Sequence, residues 1–208
     1  MKLKRGKLIV FEGIDGSGKS TQLERTAQWL HGLGYRVVKR REPTEGHFGR
    51  ILRASAVGGR LSPEDERDHF VQDRRWHVEN HIRPAMDAGQ VVLLDRYYFS
   101  SIAYQGARGL DLNDIRRRNE AIAPQPDIVL LLDLDPETAL QRIQKQRAES
   151  PNLYEKLDYL RAVRDIFLSL SDPFIRRIDA RPDEETVWLQ IETALSPLFP
   201  KRNSSRDV

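Results

Sequence analysis

The chain has 208 residues, enough to bury one sizeable core, and its 34 Lys and Arg against 31 Asp and Glu leave a net charge of only +3. So small an imbalance is weak support for nucleic-acid binding, because a polyanionic small molecule calls for clustered Arg and Lys just as well. The absence of cysteine excludes disulfides, zinc–cysteine sites and thiol catalysis, and it fits a reducing compartment. The basic start is followed by an apolar run, Leu8 to Phe11, too short for a signal peptide or a membrane span, so a cytoplasmic protein with no membrane association is expected.

Short apolar, β-branched runs occur at Lys7–Phe11, Arg36–Lys39, Val91–Asp95, Ile128–Leu134 and, less clearly, Phe174–Ile178. Between them lie helix-length segments at 18–32, 45–56, 63–88, 112–122, 136–149, 153–170 and 183–198. Ser62-Pro63-Glu64-Asp65 reads as an N-cap, a first-turn proline and an acidic first turn, with Gly89 past the far end. Strands alternating with helices predict parallel βαβ units, hence an α/β protein with a five-stranded parallel sheet covered on both faces. Residues 1–200 are expected to form one domain, and the apolar-poor stretch 201–208 a frayed tail.

Directly after the first strand, Gly13-Ile14-Asp15-Gly16-Ser17-Gly18-Lys19-Ser20 satisfies G-x-x-x-x-G-K-[ST] in the strand–loop–helix setting that the P-loop requires. The glycines let the backbone approach an anion, and amides of the loop and helix start point at phosphate oxygens. Lys19 is expected to reach the β- and γ-phosphates of ATP and Ser20 to bind Mg²⁺, with Thr21 beside it in the same site. This makes the expected fold the P-loop NTPase-type three-layer α/β/α. A GTP-dependent switch is disfavoured because no Asn-Lys-x-Asp segment follows a later strand.

Val91-Val-Leu-Leu-Asp95-Arg96-Tyr97 places an aspartate and an arginine at the carboxyl end of an apolar strand, where open parallel sheets bind their ligands. Asp95 there can organise the Mg²⁺ shell while Arg96 neutralises a transferred phosphate; the alternative is a helix cap paired with its neighbour. Phosphoryl transfer needs two anions aligned and their charge cancelled, so arginines near strand ends are expected chemistry. Arg41, in Arg41-Glu42-Pro43, and Arg53 one helix later have that placement.

The sequence resembles the thymidylate kinases from about Lys7 to about Phe199. Four segments in order carry the resemblance: Phe11-Glu-Gly-Ile-Asp-Gly-Ser-Gly-Lys-Ser-Thr21, Arg41-Glu-Pro43, Asp95-Arg-Tyr-Tyr-Phe-Ser-Ser-Ile-Ala-Tyr-Gln-Gly106 and Pro126-Asp-Ile-Val-Leu-Leu-Leu-Asp133. The third is the most specific. The resemblance implies transfer of the ATP γ-phosphate to dTMP, giving ADP and dTDP, with Mg²⁺, in a homodimer that uses part of 63–88. It also implies that Asp15 accepts a hydrogen bond from the sugar 3′-hydroxyl, that Phe70 and Arg74 stack on thymine and bond its O4, and that Ser101 and Gln105 bond the base or order its site. Tyr104 would press against the sugar C2′ and exclude a 2′-hydroxyl. Phe70 and Arg74, four apart, share one helix face. The segment 142–154 resembles a helical lid over ATP, in which Arg142, Lys145 and Arg147 are the basic candidates and Arg147 the favoured source of transition-state charge.

Two departures stand out. Many bacterial members read Arg-Glu-Pro-Gly-Gly-Thr where this chain has Arg41-Glu-Pro-Thr-Glu-Gly46, and Ser150-Pro-Asn-Leu-Tyr-Glu155 lacks an arginine common in the lid. His77 and His81 have i,i+4 spacing without the His-Glu-x-x-His pattern, Arg116–Arg118 reads as an exposed helix face, and Trp29, Trp76 and Trp188 are scattered. Rival readings are a kinase for another (deoxy)nucleotide or a deoxynucleoside, and a non-catalytic ATP-binding regulator of the same fold.

Overall fold

The computed structural model describes residues 3–144 and 153–199. The apolar runs form strands β1 (Lys7–Glu12), β2 (Val37–Arg41), β3 (Val91–Asp95), β4 (Ile128–Asp133) and β5 (Ile175–Asp179). They make one parallel sheet in the order β2-β3-β1-β4-β5. The three inner strands are buried along nearly their whole length, as strands covered on both faces must be. The two outer strands carry exposed Lys39, Arg40, Arg41, Arg176 and Arg177, charges that blunt a sheet edge. Register sets Phe11, Asp95 and Arg41 level with one another at the carboxyl ends of three adjacent strands. The chain fills one side of β1 before crossing to the other, and the crevice at that reversal is the ligand position of open parallel sheets.

The helices are α1 (Lys19–Gly32), α2 (His47–Gly58), α3 (Pro63–His77), α4 (Arg83–Asp87), α5 (Tyr98–Gly106), α6 (Leu112–Glu120), α7 (Pro136–Gln144), α8 (Leu153–Ser169) and α9 (Glu184–Leu195). Helix α1 turns Leu23, Ala27 and Leu30 inward at i, i+4 and i+7. Ser62 caps α3 by accepting from the Asp65 amide, with Pro63 at the first position.

The segment 63–88 is not one α-helix. It passes through a π-helical turn, Val78–Ile82, between α3 and α4, and the Arg83 amide reaches back to the Val78 carbonyl. Pro84 has no N–H for a regular i→i−4 bond and its ring crowds the carbonyl four residues back, so the helix widens locally. The helix expected over 183–198 ends at Leu195 and tightens into a 3₁₀ turn, Ser196–Leu198, that holds Pro197. Helix α5 has no counterpart in the sequence reading. The lid expected over 142–154 lies largely outside the described residues, as does 201–208.

Trp29 and Trp188 are not scattered. Helices α1 and α9 bring them edge to face at 5.9 Å, with Phe199 6.0 Å from Trp29. Of Arg116–Arg118, Arg117 and Arg118 stay on the surface beside Asp114, whereas Arg116 grips Asp172 with two hydrogen bonds of 2.8 and 2.9 Å.

Candidate active site

The loop between β1 and α1 borders a cavity of about 770 Å³. Asp15, Gly16, Ser17, Gly18, Lys19, Ser20 and Thr21 line it from one side, Arg41 and Asp95 from the strand ends, and Arg142 from α7. Gly13 and Ile14 do not: Ile14 is buried in the core, and both contribute through backbone carbonyls, which accept from Lys19 Nζ at 3.0 and 2.8 Å. Gly13 has φ +135°, and a Cβ there would lie 2.5 Å from the Leu132 carbonyl oxygen, so only glycine lets the loop leave β1 this closely. Burial, with the nearby Arg96 charge, pushes the Lys19 ammonium down to about 7. The positive charge there is costly until an anion arrives to share the site.

At the floor, Ser20 Oγ donates to Asp95 Oδ2 at 3.3 Å, and Arg41 Nε lies 3.8 Å from the same oxygen. Asp95 Oδ1 is buried with no hydrogen-bond partner among the described residues. A hydroxyl and a carboxylate with a spare oxygen make a hard-oxygen donor set.

Arg96 follows β3 in the left-handed region, φ +69°, which costs a non-glycine residue on the order of 1 kcal/mol. Its amide bonds the Phe11 carbonyl at 3.0 Å, and its guanidinium is tied on two sides. Nη2 donates to Asp15 Oδ1 at 2.7 Å and to Tyr104 OH at 3.2 Å, with the guanidinium 5.0 Å over the Tyr104 ring, while Nη1 donates to Ser100 Oγ at 2.9 Å. Glu12, at the end of β1 and fully buried, accepts from the Tyr97 and Ser100 amides at 2.8 and 3.1 Å and from Ser100 Oγ at 2.5 Å. It thereby caps α5, whose own N-cap residue, Tyr97, offers no side-chain bond. Burial pushes the Glu12 carboxyl up to about 7, against the pull of Arg96 and of these hydrogen bonds.

A second cavity, about 550 Å³, opens beyond Asp15 and Arg41, which line both cavities. Arg53, Phe70, Arg74, Arg96, Ser101, Tyr104 and Gln105 all line it. Phe70 is a half-buried wall rather than core. Arg74 is 1% exposed, not a surface charge: Nε and Nη2 hold Glu42 Oε2 at 2.8 and 2.7 Å, Nη2 reaches Ser101 Oγ at 3.2 Å, and Nη1 bonds Asn119. His77 Nδ1 braces the other Glu42 oxygen at 2.9 Å, which gives that histidine a structural partner; no group of three or more metal-binding side chains occurs among the described residues. Both Gln105 amide atoms are buried without a partner among the described residues, so they are available to a ligand.

The loop after β2 is fixed by Asp73, which accepts from the Thr44 amide at 2.7 Å and from Thr44 Oγ1 at 2.6 Å. Thr44 Oγ1 in turn accepts from the Gly46 amide at 2.9 Å. Glu45 pairs with Arg53 at 2.7 Å, and Arg53 also donates to the Pro43 carbonyl at 2.9 Å.

The structure therefore gathers every expected site residue among the described ones except Gly13 and Ile14 onto two adjoining cavities; Lys145 and Arg147 lie outside the described residues. The sequence reading missed Glu12, Glu42, Ser100 and Asn119. Glu12 had a signal, a lone acid closing an apolar strand, and Glu42 stood inside the quoted Arg41-Glu42-Pro43. Asn119, on α6, had none. The arrangement can hold a polyphosphate on the loop and a second anion across Asp15 and Arg41, with Arg96 lining the second cavity and bonded to Asp15 at the junction.

The family model described as "Thymidylate kinase" matches residues 11–191. The thymidylate kinase of Akkermansia muciniphila is 48% identical over 197 residues, 95% of each chain, and that of Xylella fastidiosa strain M23 is 49% identical over 183 residues, 88% of this chain and 83% of its own. The crystal structure of thymidylate kinase from Ehrlichia chaffeensis superposes with a TM-score of 0.74 at 28% identity, covering 92% of this chain and 99% of that one.

Proposed function

The chain belongs to the thymidylate kinase family, and from that premise we infer how its residues divide the work between the two cavities. The protein is a nucleoside monophosphate kinase that phosphorylates dTMP, and ATP is the family's phosphoryl donor. ATP takes the cavity on the P-loop and dTMP the cavity on Phe70 and Arg74. The observation that carries this division is that the two cavities meet at Asp15 and Arg41, so that a terminal phosphate on one side faces a phosphate on the other.

In-line transfer then needs alignment and charge cancellation rather than a protein nucleophile. Lys19 reaches the β- and γ-phosphates, Arg96 bridges the donor and acceptor phosphates at the junction, and Arg41 and Arg53 hold the acceptor phosphate. Asp15, already bonded to Arg96, is in reach of a sugar hydroxyl entering the second cavity. Phe70 offers a face for the base, and Arg74, Ser101 and Gln105 offer its hydrogen bonds. Arg74 suits base reading because Glu42 and Asn119 fix its plane. Tyr104, held under Arg96, leaves little room beside the sugar. Arg142 closes the ATP cavity, and Arg147 is the favoured lid arginine.

The donor set at the P-loop fits Mg²⁺: Ser20 and Asp95 would hold it directly or through water, and Asp95 Oδ1 is the buried oxygen without a partner. Bound there, the ion would supply positive charge against that of the phosphates. We read residues 1–200 as one kinase domain, since a single sheet takes all five strands. Homodimerisation through the face of α3 is supported by Trp76, 41% exposed. No helix among the described residues is long and apolar enough to cross a membrane, and a cytoplasmic location fits the absence of cysteine.

Coupled ADP release with Mg-ATP, scanning dTMP, dUMP, UMP, dCMP, AMP, dGMP and thymidine, tests the reading. Strong preference for dTMP supports the assigned acceptor pocket; preference for another acceptor overturns Phe70, Arg74 and Tyr104 as thymidylate readers. Tyr104→Ala is expected to relax discrimination against UMP, and unchanged discrimination removes Tyr104 from that role.

A further inference from the structure

We propose that Glu12 is a positioning residue for phosphoryl transfer: acting through the Ser100 hydroxyl, it aims the Arg96 guanidinium at the junction of the two cavities. Glu12 has no exposed surface and lines neither cavity, so a nucleotide cannot touch it. A strand end in the core would be served at lower cost by an apolar side chain, since burying a carboxylate is penalised unless its partners repay it. Its partners are all on one turn. Oε1 takes the Tyr97 and Ser100 amides, and Oε2 takes the Ser100 hydroxyl proton at 2.5 Å.

That last bond orients the hydroxyl. With Glu12 ionised, as it is above about pH 7, the hydroxyl proton is committed to it and Ser100 Oγ presents a lone pair to Arg96 Nη1, 2.9 Å away. A carboxylate behind a hydroxyl also makes the oxygen a better acceptor. Arg96 is thus gripped from behind by Glu12 and Ser100 and from the cavity side by Asp15 and Tyr104. Of these, Asp15 is the one a ligand would draw upon, because it faces both cavities. The Ser100 link is therefore what keeps the guanidinium in place while the substrates are bound, and it costs no reorganisation at the moment of transfer. The left-handed turn at Arg96 belongs to the same device, since Glu12 holds the amide of the next residue, Tyr97.

The proposal rests on the reading of Arg96 as the residue at the transferred phosphate. A merely structural Glu12 would cap α5 and do nothing more, and Glu12→Gln separates the two roles. The Gln carbonyl can still accept from both amides, but its NH₂ cannot accept the Ser100 proton. Ser100→Ala removes the same link from the other side and leaves the cap intact.

The experiment is a double-mutant cycle at about pH 8, where Glu12 is ionised, on kcat and on the separate KM values for ATP and dTMP, with Arg96→Ala alongside and thermal unfolding of each protein. Glu12→Gln and Ser100→Ala are each expected to lower kcat by about 10- to 100-fold with the ATP KM near that of the parent, and the double variant to be no worse than the poorer single. Losses in kcat that multiply, or a lowered unfolding temperature with kcat unchanged, overturn the proposal. Should Glu12→Gln not fold, Ser100→Ala decides alone: an unchanged kcat sinks the idea. If Arg96→Ala also keeps its kcat, the reading of Arg96 fails; if Arg96→Ala loses kcat while the other two do not, the Glu12 inference fails by itself.

Discussion

Burial moves the Glu12 carboxyl from its ordinary 4.5 to about 7, so between those values the folded protein holds a proton that the unfolded chain releases. Because the folded state binds more protons there, this group's contribution is fully present below 4.5 and is lost as the pH rises through 7. The whole gap is worth about 3 kcal/mol, and about 2 kcal/mol of it falls between pH 5.5 and 8. Glu12→Gln has no such proton. The stability of the parent relative to this variant is therefore expected to fall by about 2 kcal/mol from pH 5.5 to 8. Urea unfolding, followed by tryptophan fluorescence at several pH values, reads this directly. With a slope of about 2 kcal/mol per molar urea, the difference between the two midpoints should move by about 1 M. Other groups, the histidines included, titrate alike in both proteins and cancel. Curves that run parallel in pH would refute the argument, because they would mean that Glu12 is ionised throughout and that Arg96 and the three hydrogen bonds outweigh its desolvation.

Arg74→Ala strands Glu42 in the core with only His77 beside it, and urea unfolding should show a loss of about 3–5 kcal/mol together with a raised dTMP KM. Gly49→Ala would set a Cβ 1.9 Å from the Thr44 carbonyl oxygen and 2.9 Å from an Asp73 oxygen. The loop after β2 must then shift, so the dTMP KM should rise while the ATP KM stays put; equal effects on both would count against this placement of the loop. Glu45→Gln frees Arg53 from an exposed carboxylate, and the dTMP KM should fall by about 1.5- to 5-fold at low salt and by less at high salt.

The parallel sheet was legible because its signal is local: β1, β3 and β4 are apolar runs of strand length, and Ser62-Pro63 announces α3 in four residues. Helix α5 was not, since its cap comes from Glu12, more than eighty residues earlier in the chain. No inspection of Asp95-Arg-Tyr-Tyr could supply that carboxylate. The widened turn at Val78–Ile82 escaped for a different reason: Pro84 gives a local warning of a break, but whether a helix kinks, stops or widens depends on what its faces pack against. Arg74 shows the limit for single side chains. In sequence it is one of several arginines on a polar helix, and only α6 and the loop after β2, delivering Asn119 and Glu42, make it a buried, fixed group.

The carboxylates of the site fall into two sets with different consequences. Asp15 and Asp95 line the cavities and Glu45 stands in solvent beside them, and the three hold Arg96, Ser20 and Arg53 in turn. An arriving anion or metal ion competes for the same partners, so these acids act on affinity, and their influence is open to salt. Glu12 and Glu42 are almost fully buried and hold Ser100 and Arg74. Ligands do not replace them, so their removal should appear in stability and in the aim of the guanidiniums rather than in the balance of charge. The same division applies to Thr44 and Glu45, at which the sequence departs from the pattern expected of the family. Asp73 takes up the Thr44 amide and hydroxyl and keeps the loop closed, whereas Glu45 points outward and is answered by Arg53. One side chain is absorbed by the fold, and the other acts on Arg53.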